Sequence, residues 1–531
     1  MPKVWKVLPK VSDNLEKQLL FNRGLKTKQE IDHFLTPKLI DFSKDLKIPG
    51  IPKALTRIKK AIVNNELIIV YGDYDVDGVC ASAILYKALT SIGAKVLPYI
   101  PHREKEGYGL SKLGLEFSRD SGAGLVITVD NGIVALEQAS FAKEIGLDLI
   151  ITDHHLPLDT KPEALAIVHS TKMCGAAVAW CLVSEVIKRE LNEELSQFVA
   201  IATISDMMPL LGLNRAFVFE GLKVLNSTKN PGLLELIKEA GLTLGQIGAY
   251  EVGHMLSPRL NAIGRLEHAI DALRLLCTKD SLKASKLARL LTDANTKRQI
   301  LTVSAIEEAK LLLNGNGHKK IHILDSKDWS PGIIGLVAAR VCEEYHRPAI
   351  AISIGESYSK GSARSVAGVN IVEVIRKCSD ILIDIGGHQG AAGFSIANEN
   401  LEVFKEKLEL LAQDLPEEVE QTLEIEAEVE SKLLTKGLVA KLNDFEPFGI
   451  GNPKPLLSTN NMKVANIKTV GEDGKHLKFR AEGIEAIAFG MGDMVSLLKE
   501  GTLVDLAYFL EINRFNGSEI LQLKVKDIKL V

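Results

Sequence analysis

The residues of this chain that could do chemistry are mostly acids and histidines. Asp73, Asp75 and Asp77 stand in one short run, Gly72-Asp73-Tyr74-Asp75-Val76-Asp77-Gly78. Asp130 lies in Thr128-Val129-Asp130-Asn131-Gly132, Asp153-His154-His155 form a triplet, and Asp206 ends the string FVAIATISD. Gathering several carboxylates is costly unless cations neutralise them. Oxygen ligands with an imidazole suit Mn²⁺ or Mg²⁺. The six cysteines are scattered without a CxxC pair, which argues against structural zinc and a disulfide framework. With about five or six candidate ligands, the expectation is two cations about 3.5–4 Å apart, bridged by one carboxylate. Such a pair lowers the pKa of a water, aligns it with a phosphorus and stabilises the leaving oxygen. The implied reaction class is hydrolysis of a phosphate ester or anhydride. Taken singly, each motif has a plain structural reading. An Asp after a strand usually caps a helix or forms a turn, and Asp73 alone reads that way. Their co-occurrence at successive strand ends carries the chemical reading.

The surrounding pattern supplies the scaffold. ELIIVYGD, AKVLPYI, GLVITVD and LDLIITD are short aliphatic, β-branched runs separated by helix-length segments, which predicts βαβ units and a parallel sheet. The carboxyl ends of parallel strands face one crevice, so residues distant in sequence meet there. Residues 1–60 read as a helical segment and 61–277 as the parallel-sheet domain, mainly helical after about 175. A connecting helix is expected over 278–317, where 280–314 lack Gly and Pro, and a smaller α/β domain over 318–415. The stretch 416–531 offers about five short strands, suggesting an OB-like β-barrel. The predicted fold class is thus α/β with a C-terminal barrel.

At 531 residues the chain exceeds what one core usually supports. No apolar run approaches the roughly 20 residues that span a bilayer, and the N-terminus does not read as a secretory signal, so a cytoplasmic setting is expected. A net charge of −4 does not favour nucleic acid. Any DNA groove must therefore be a local basic surface.

The same residues resemble the DHH phosphoesterase superfamily, named for the triplet here at 153–155, and within it the RecJ-type exonucleases. The strings that carry the likeness are RGLKTKQEIDHFL, GDYDVDG, EGYGL, TVDNG, TDHHLP, ISDMMPL, SPRLNAIGR, SPGIIG, GSARS, GGHQGAAGF and FGIGNPKP, in the family order. The resemblance implies metal ligands at Asp75, Asp77, Asp130, His154 and Asp206, with Asp130 bridging. It places His155 beside the metals, against a phosphate or orienting a ligand, and makes Asp153 the holder of an imidazole tautomer. It implies a DHH domain over 61–277 and a DHHA1 domain over 318–415. Related pyrophosphatases carry a His four residues before the first metal-binding Asp; here that position is Tyr71.

Ser362 and Arg364, two apart in a strand, share a face and could hold a phosphate. The resemblance joins Arg103 to them as a pocket for a 5′ terminal phosphate. It makes His388 in Gly386-Gly387-His388 a phosphate contact, and Arg259, Asn261 and Arg265 strand contacts. Tyr108 is a candidate for base stacking, with a core tyrosine as its plain reading. In the barrel, Lys468, Lys475, Lys478, Arg480 and Arg514 are candidate phosphate contacts. The implied activity is single-stranded-DNA-specific, 5′→3′ degradation to 5′ mononucleotides with two Mn²⁺ or Mg²⁺, in recombination and repair. A single-strand binding protein and a RecQ-type helicase are the implied partners of a monomer. Three rivals are a hydrolase of small phosphates, a non-catalytic scaffold, and a tRNA-editing module. The barrel and connector are superfluous to the first, ligand loss would mark the second, and zinc-type ligands the third.

Overall fold

The computed structural model describes residues 3–103, 106–313, 319–417, 419–515 and 518–531. The acidic motifs sit on a five-stranded, all-parallel sheet. Its spatial order is Lys95–Tyr99, Leu67–Tyr71, Ala123–Val129, Asp148–Asp153 and Ala166–His169. In sheet-local terms this is 2-1-3-4-5, and the order reverses between Leu67–Tyr71 and Ala123–Val129. That reversal opens a crevice at the carboxyl ends of those two strands. Ile68, Ile69, Val70 and Tyr71 are all fully buried, as expected of a strand covered on both faces. The fifth strand, Ala166–His169, has only four residues. So short an apolar run leaves no readable period, and the sequence did not reveal it.

The expected boundary near residue 60 falls inside the helix Ile51–Val63. Its face Ala54, Ile58 and Ala61 belongs to the same core as the parallel sheet. Beyond the sheet, helices lead to the connector Ser281–Leu313, one helix of 33 residues. At 1.5 Å per residue it spans about 50 Å. Its expected last turn at 314–317, and residue 318 of the next region, lie outside the described residues.

The second α/β body has a five-stranded sheet in the order Leu382–His388, Ala391–Ala397, Tyr358–Arg364, Ala349–Ser353 and His322–Ser326. Only its last pair is parallel. The C-terminal region closes on itself. Leu457–Val470 pairs with both His476–Ala481 and Leu503–Phe515, and Ile484–Ala488 and Ser518–Leu530 complete the ring. Closure leaves no open edge among these strands, as in an OB-type barrel.

Residues 1–60 are not wholly helical. Val4–Val7 is a strand, paired in parallel with Thr422–Ile425. Four residues without a local partner give no strand signal, because the pairing segment lies at the far end of the chain. The helices after it cover the barrel: Leu19, Leu20 and Phe34 join its core. Arg23 seals the contact with a bidentate pair to Glu426, at 2.6 and 3.0 Å. Among the described residues, no helix is long and apolar enough to cross a membrane.

Candidate active site

The loop after Leu67–Tyr71 delivers three carboxylates in different directions. Asp75 caps the helix Val76–Ser91, its side chain accepting from Gly78 N–H at 3.0 Å. Asp77, one residue into that helix, accepts from Gly175 and Ala176 N–H at 2.6 and 2.7 Å. These two donors open the helix Gly175–Val183, so a helix N-terminus fixes Asp77 from the opposite side. Asp73 caps nothing: one of its carboxyl oxygens, Oδ1, is buried without a hydrogen-bond partner. The plain reading of Asp73 as a helix cap therefore fails, because Asp75 holds that position.

Asp130 follows the third strand in a left-handed conformation, φ +64°. Such backbone is uncommon for a non-glycine residue and collects at functional sites. Asn131 holds the turn, donating from Nδ2 to Val129 and Tyr71 carbonyls at 2.9 and 3.3 Å. Gly175 lies so close that a Cβ there would come within 2.6 Å of the Asp130 side chain. Neither Asn131 nor Gly175 stands out as functional in the sequence. The run Cys174-Gly175-Ala176-Ala177, small residues opening a helix, is the available signal for the glycine.

His154 gathers the rest. Its Nε2 lies 3.1 Å from Asp130 Oδ1, 3.6 Å from Asp77 Oδ2 and 3.7 Å from Asp206 Oδ2. Asp206 reaches this point from the C-terminus of the helix Arg189–Ser205. Among the described residues, Asp77-His154-Asp206, Asp73-Asp75-Asp130 and Asp130-His154-His155 each present ligand atoms within 4.8 Å of one another. Burial, and then the neighbouring carboxylates, push Asp73, Asp75 and Asp130 above the ordinary carboxyl range, and Asp206 up to about 8. Burial holds His154 below the ordinary imidazole value, in the neutral form that can bind a metal. A basin of crowded, desolvated carboxyls around a neutral imidazole fits divalent cations. Hard Mn²⁺ or Mg²⁺ match its donors, and no cysteine belongs to these groups.

His155 has a different task. Burial alone would lower its pKa, but the hydrogen bond of Nδ1 to Asp153 Oδ1 at 2.7 Å raises it. Asp153 also accepts from Ile133, His154 and His155 N–H. His155 Nε2 lies 3.0 Å from the Tyr108 hydroxyl, which reaches the Asp130 carbonyl at 3.3 Å. Tyr108 is therefore a half-exposed polar bridge rather than a core residue. Tyr71 is fully buried, its hydroxyl engaged with Ser111 and Gly109.

The expected substrate residues separate into two kinds. Arg265 donates to Gly332 O at 3.2 Å across the seam between the two α/β bodies. Burial and the nearby cations Arg103, Arg298 and Arg364 push its pKa down to about 10. Arg298, on the connector, was not anticipated, although it recurs one helical turn after Asn295 on a segment free of Gly and Pro. Ser362 and Arg364 share one strand face and are bonded to each other at 3.2 Å. A Cβ at Gly335, in the first turn of the helix Ile334–Tyr345, would lie 3.2 Å from both. A hydroxyl, a guanidinium and a helix N-terminus together could hold an anion. Arg103 lies over the Tyr74 ring, 5.1 Å from its centroid.

Several other expected residues have partners of their own. Asn261 accepts from Val76 N–H at 3.1 Å, so it holds the acidic loop. Arg259 donates to Met255 O in its own helical segment. His388 is exposed at the tip of a hairpin, and its side chain makes no hydrogen bond among the described residues. In the barrel, Lys478 and Arg480 both pair with Glu485, Arg514 with Glu519 and Lys475 with Asp473. Lys468 lines the same surface hollow as Lys478 and Arg480.

Comparison with known proteins accounts for this geometry. Residues 67–203 match the DHH family, N-terminal domain; 318–414 match the DHHA1 domain; and 425–527 match the RecJ OB domain. The chain is 35% identical over 529 residues to the single-stranded-DNA-specific exonuclease RecJ of Bacillus subtilis (strain 168), covering 96% of this chain and 67% of the relative. The crystal structure of RecJ in complex with Mn²⁺ from Thermus thermophilus superposes with a TM-score of 0.85 at 30% identity, over 99% of this chain and 79% of that one. The Mg²⁺ complex of RecJ from the same organism gives 0.79 at 29% identity, over 99% and 78%. With three domain types in one order and this likeness along almost its whole length, the chain belongs to the RecJ family of DHH phosphoesterases.

Proposed function

We propose that this protein is a single-stranded-DNA-specific exonuclease that removes 5′ mononucleotides in the 5′→3′ direction, using two divalent cations. The observation that supports it most is the pairing of a carboxylate–imidazole basin with an anion site on the facing α/β body, joined at the Arg265–Gly332 contact. The relatives it resembles are named single-stranded-DNA-specific exonucleases, and two of their structures hold Mn²⁺ or Mg²⁺.

Asp75, Asp77, Asp130, His154 and Asp206 would hold the ions, with Asp130 shared between them. When bound, the ions supply an activated, aligned water and charge stabilisation at the phosphoryl oxygens. The chain's own residues do the rest. Ser362, Arg364 and Arg103 hold the terminal phosphate and so set the polarity. Arg265 and Arg298 add positive charge to the seam, which draws the next phosphates in. His155, oriented by Asp153, which also raises its pKa, would when protonated offer Nε2–H to a phosphoryl oxygen in place of the Tyr108 hydroxyl. Tyr108 is then free to turn its half-exposed ring toward a base. The parallel-sheet body, the connecting helix, the second α/β body and the barrel divide this labour, with the barrel as an added strand-binding surface.

A cytoplasmic monomer acting in recombination and repair, supplied by a single-strand binding protein and a RecQ-type helicase, is the setting this reading implies. A product assay tests the substrate class. Mononucleotide release from a long single strand, with no hydrolysis of pyrophosphate or of dinucleotides, is expected. The reverse preference would replace the exonuclease with a small-phosphate hydrolase.

A further inference from the structure

We propose that Tyr74 is a positioning residue for end recognition: its ring is the platform that holds Arg103 toward the seam between the two α/β bodies. This rests on the end-pocket reading above and adds to it the residue that keeps one of its cations in place. Tyr74 stands between Asp73 and Asp75, and its side chain has no part in the ligand groups of the basin. The sheet brings Tyr74 and Arg103 together. Tyr71 is paired with Tyr99, and Gly72 N–H donates to the Tyr99 carbonyl at 2.8 Å. The acidic loop and the loop carrying Arg103 therefore leave the sheet side by side.

Arg103 needs a holder. Arg103, Arg298 and Arg364 all act on Arg265 as like charges, so four guanidiniums share one region. Their mutual repulsion disfavours an Arg103 fixed toward the others. Among the described residues neither an ion pair nor a hydrogen bond holds its guanidinium; its Cζ lies over the Tyr74 ring, 5.1 Å from the centroid. The face of an aromatic ring attracts a guanidinium without neutralising it. A carboxylate in that place would compete with an incoming phosphate, whereas a ring leaves the N–H donors free for one.

The ring itself is held. A Cβ at Gly264 would fall 2.5 Å from the Tyr74 carbonyl oxygen, so the helix Ser257–Leu266 abuts the loop backbone there. Asn261 of the same helix accepts from Val76 N–H at 3.1 Å. The ring packs, partly buried, against the core of the parallel-sheet body, and also forms a T-shaped pair with Tyr108 at 6.3 Å. The Tyr74 hydroxyl makes no hydrogen bond among the described residues, so the face of the ring is the part with a task.

Digestion kinetics of the Mn²⁺-loaded enzyme on strands with a 5′ phosphate or a 5′ hydroxyl, combined with a double-mutant cycle, test this. Tyr74→Leu should raise KM for the phosphorylated strand about 10-fold and leave kcat within about 2-fold, with little change on the hydroxyl strand. Tyr74→Phe, which keeps the face, should restore KM. In an Arg103→Ala background Tyr74→Leu should add nothing, which separates the Arg103 contact from the Tyr108 one. Nuclear magnetic resonance of protein labelled with ¹⁵N-arginine reads the contact without turnover. The Arg103 Hε signal, assigned by Arg103→Ala, should be shifted upfield by the ring, keep that shift in Tyr74→Phe and lose it in Tyr74→Leu. An unshifted Arg103 signal in the wild type, an unchanged KM in Tyr74→Leu, or the same rise in KM with and without Arg103 would overturn the platform. So would a fall in kcat and in Mn²⁺ affinity at unchanged KM, which would make the ring a support of the metal loop. Should Arg103→Ala spare the preference for a 5′ phosphate, the end-pocket reading fails, and the signal shift alone decides whether the ring holds the guanidinium.

Discussion

His154 points its Nε2 at Asp130 Oδ1 across 3.1 Å, although the two residues leave different strands. The sheet fixes that distance: Val129 is paired with Thr152, so the chain ends of Ala123–Val129 and Asp148–Asp153 emerge side by side. Asp130 N–H also donates to the Thr152 carbonyl at 3.0 Å, which locks the carboxylate against the triplet. Because Asp130 belongs to two of the three ligand groups, Asp130→Asn should lower nuclease activity on the order of 10³-fold or more. The fold should survive, as circular dichroism and unchanged melting in chelator would verify. Retention of a tenth of the activity would contradict a shared ligand.

The raised carboxyls predict a pH dependence of metal binding. In the metal-free protein Asp206 is pushed up to about 8, and Asp75 and Asp130 are also raised, so protons occupy the basin near neutrality. A cation must displace them, and Mn²⁺ affinity should rise with pH until about 8 and then level off. Calorimetry in buffers of different ionisation enthalpy should show release of about one proton or more at pH 7. The stability sign is opposite. The folded, metal-free chain binds more of these protons than the unfolded one, so it should lose stability as pH rises from near 4 towards 8. Saturating Mn²⁺ should abolish that loss.

The anion site predicts a dependence on the strand's end. Arg364→Ala removes the guanidinium that shares a face with Ser362, and should raise KM for 5′-phosphorylated strands by about 10- to 100-fold, near 1.5–3 kcal/mol for a charged hydrogen bond. Its effect on strands with a 5′ hydroxyl should be much smaller. Equal losses on both ends would remove Ser362 and Arg364 from end recognition.

Much of the basin could be read from sequence, because parallel strands deliver the loops at their carboxyl ends to one edge, and the acids sit at the ends of three such strands and of one helix. Relationships in which the partner is remote could not be read. Gly175 matters through its approach to Asp130, and the small residues beside it signal a helix start but not that contact. The resemblance implies a strand contact at Asn261; that its side-chain carbonyl also accepts from Val76 N–H could not be read. The basic residues of the barrel show the same limit. A sequence displays Lys478 and Arg480 as charges, whereas folding pairs both with Glu485. Val4–Val7 gave no strand signal because its partner, Thr422–Ile425, lies almost the whole chain away.

The N-terminal cover of the barrel predicts a stability effect without a catalytic one. The Arg23–Glu426 pair has side chains only 3% and 8% exposed. Arg23→Met would strand a buried carboxylate, costing about 3–5 kcal/mol of the stability of that unit. Thermal unfolding should show an earlier transition for the barrel, with the metal affinity of the folded enzyme unchanged. No shift in that transition would mean that the cover contributes little.

The proposed reaction is a metal-dependent attack that starts from a 5′ end held between the two α/β bodies. Digestion of one long single strand, labelled at either end, with Mn²⁺ present, tests it without intermediaries. Labelled mononucleotide should appear at once from the 5′-labelled strand, and a progressively shortened product from the 3′-labelled one, with duplex untouched. Mononucleotide released first from the 3′ label, or cutting that does not require a free end, would contradict that attack.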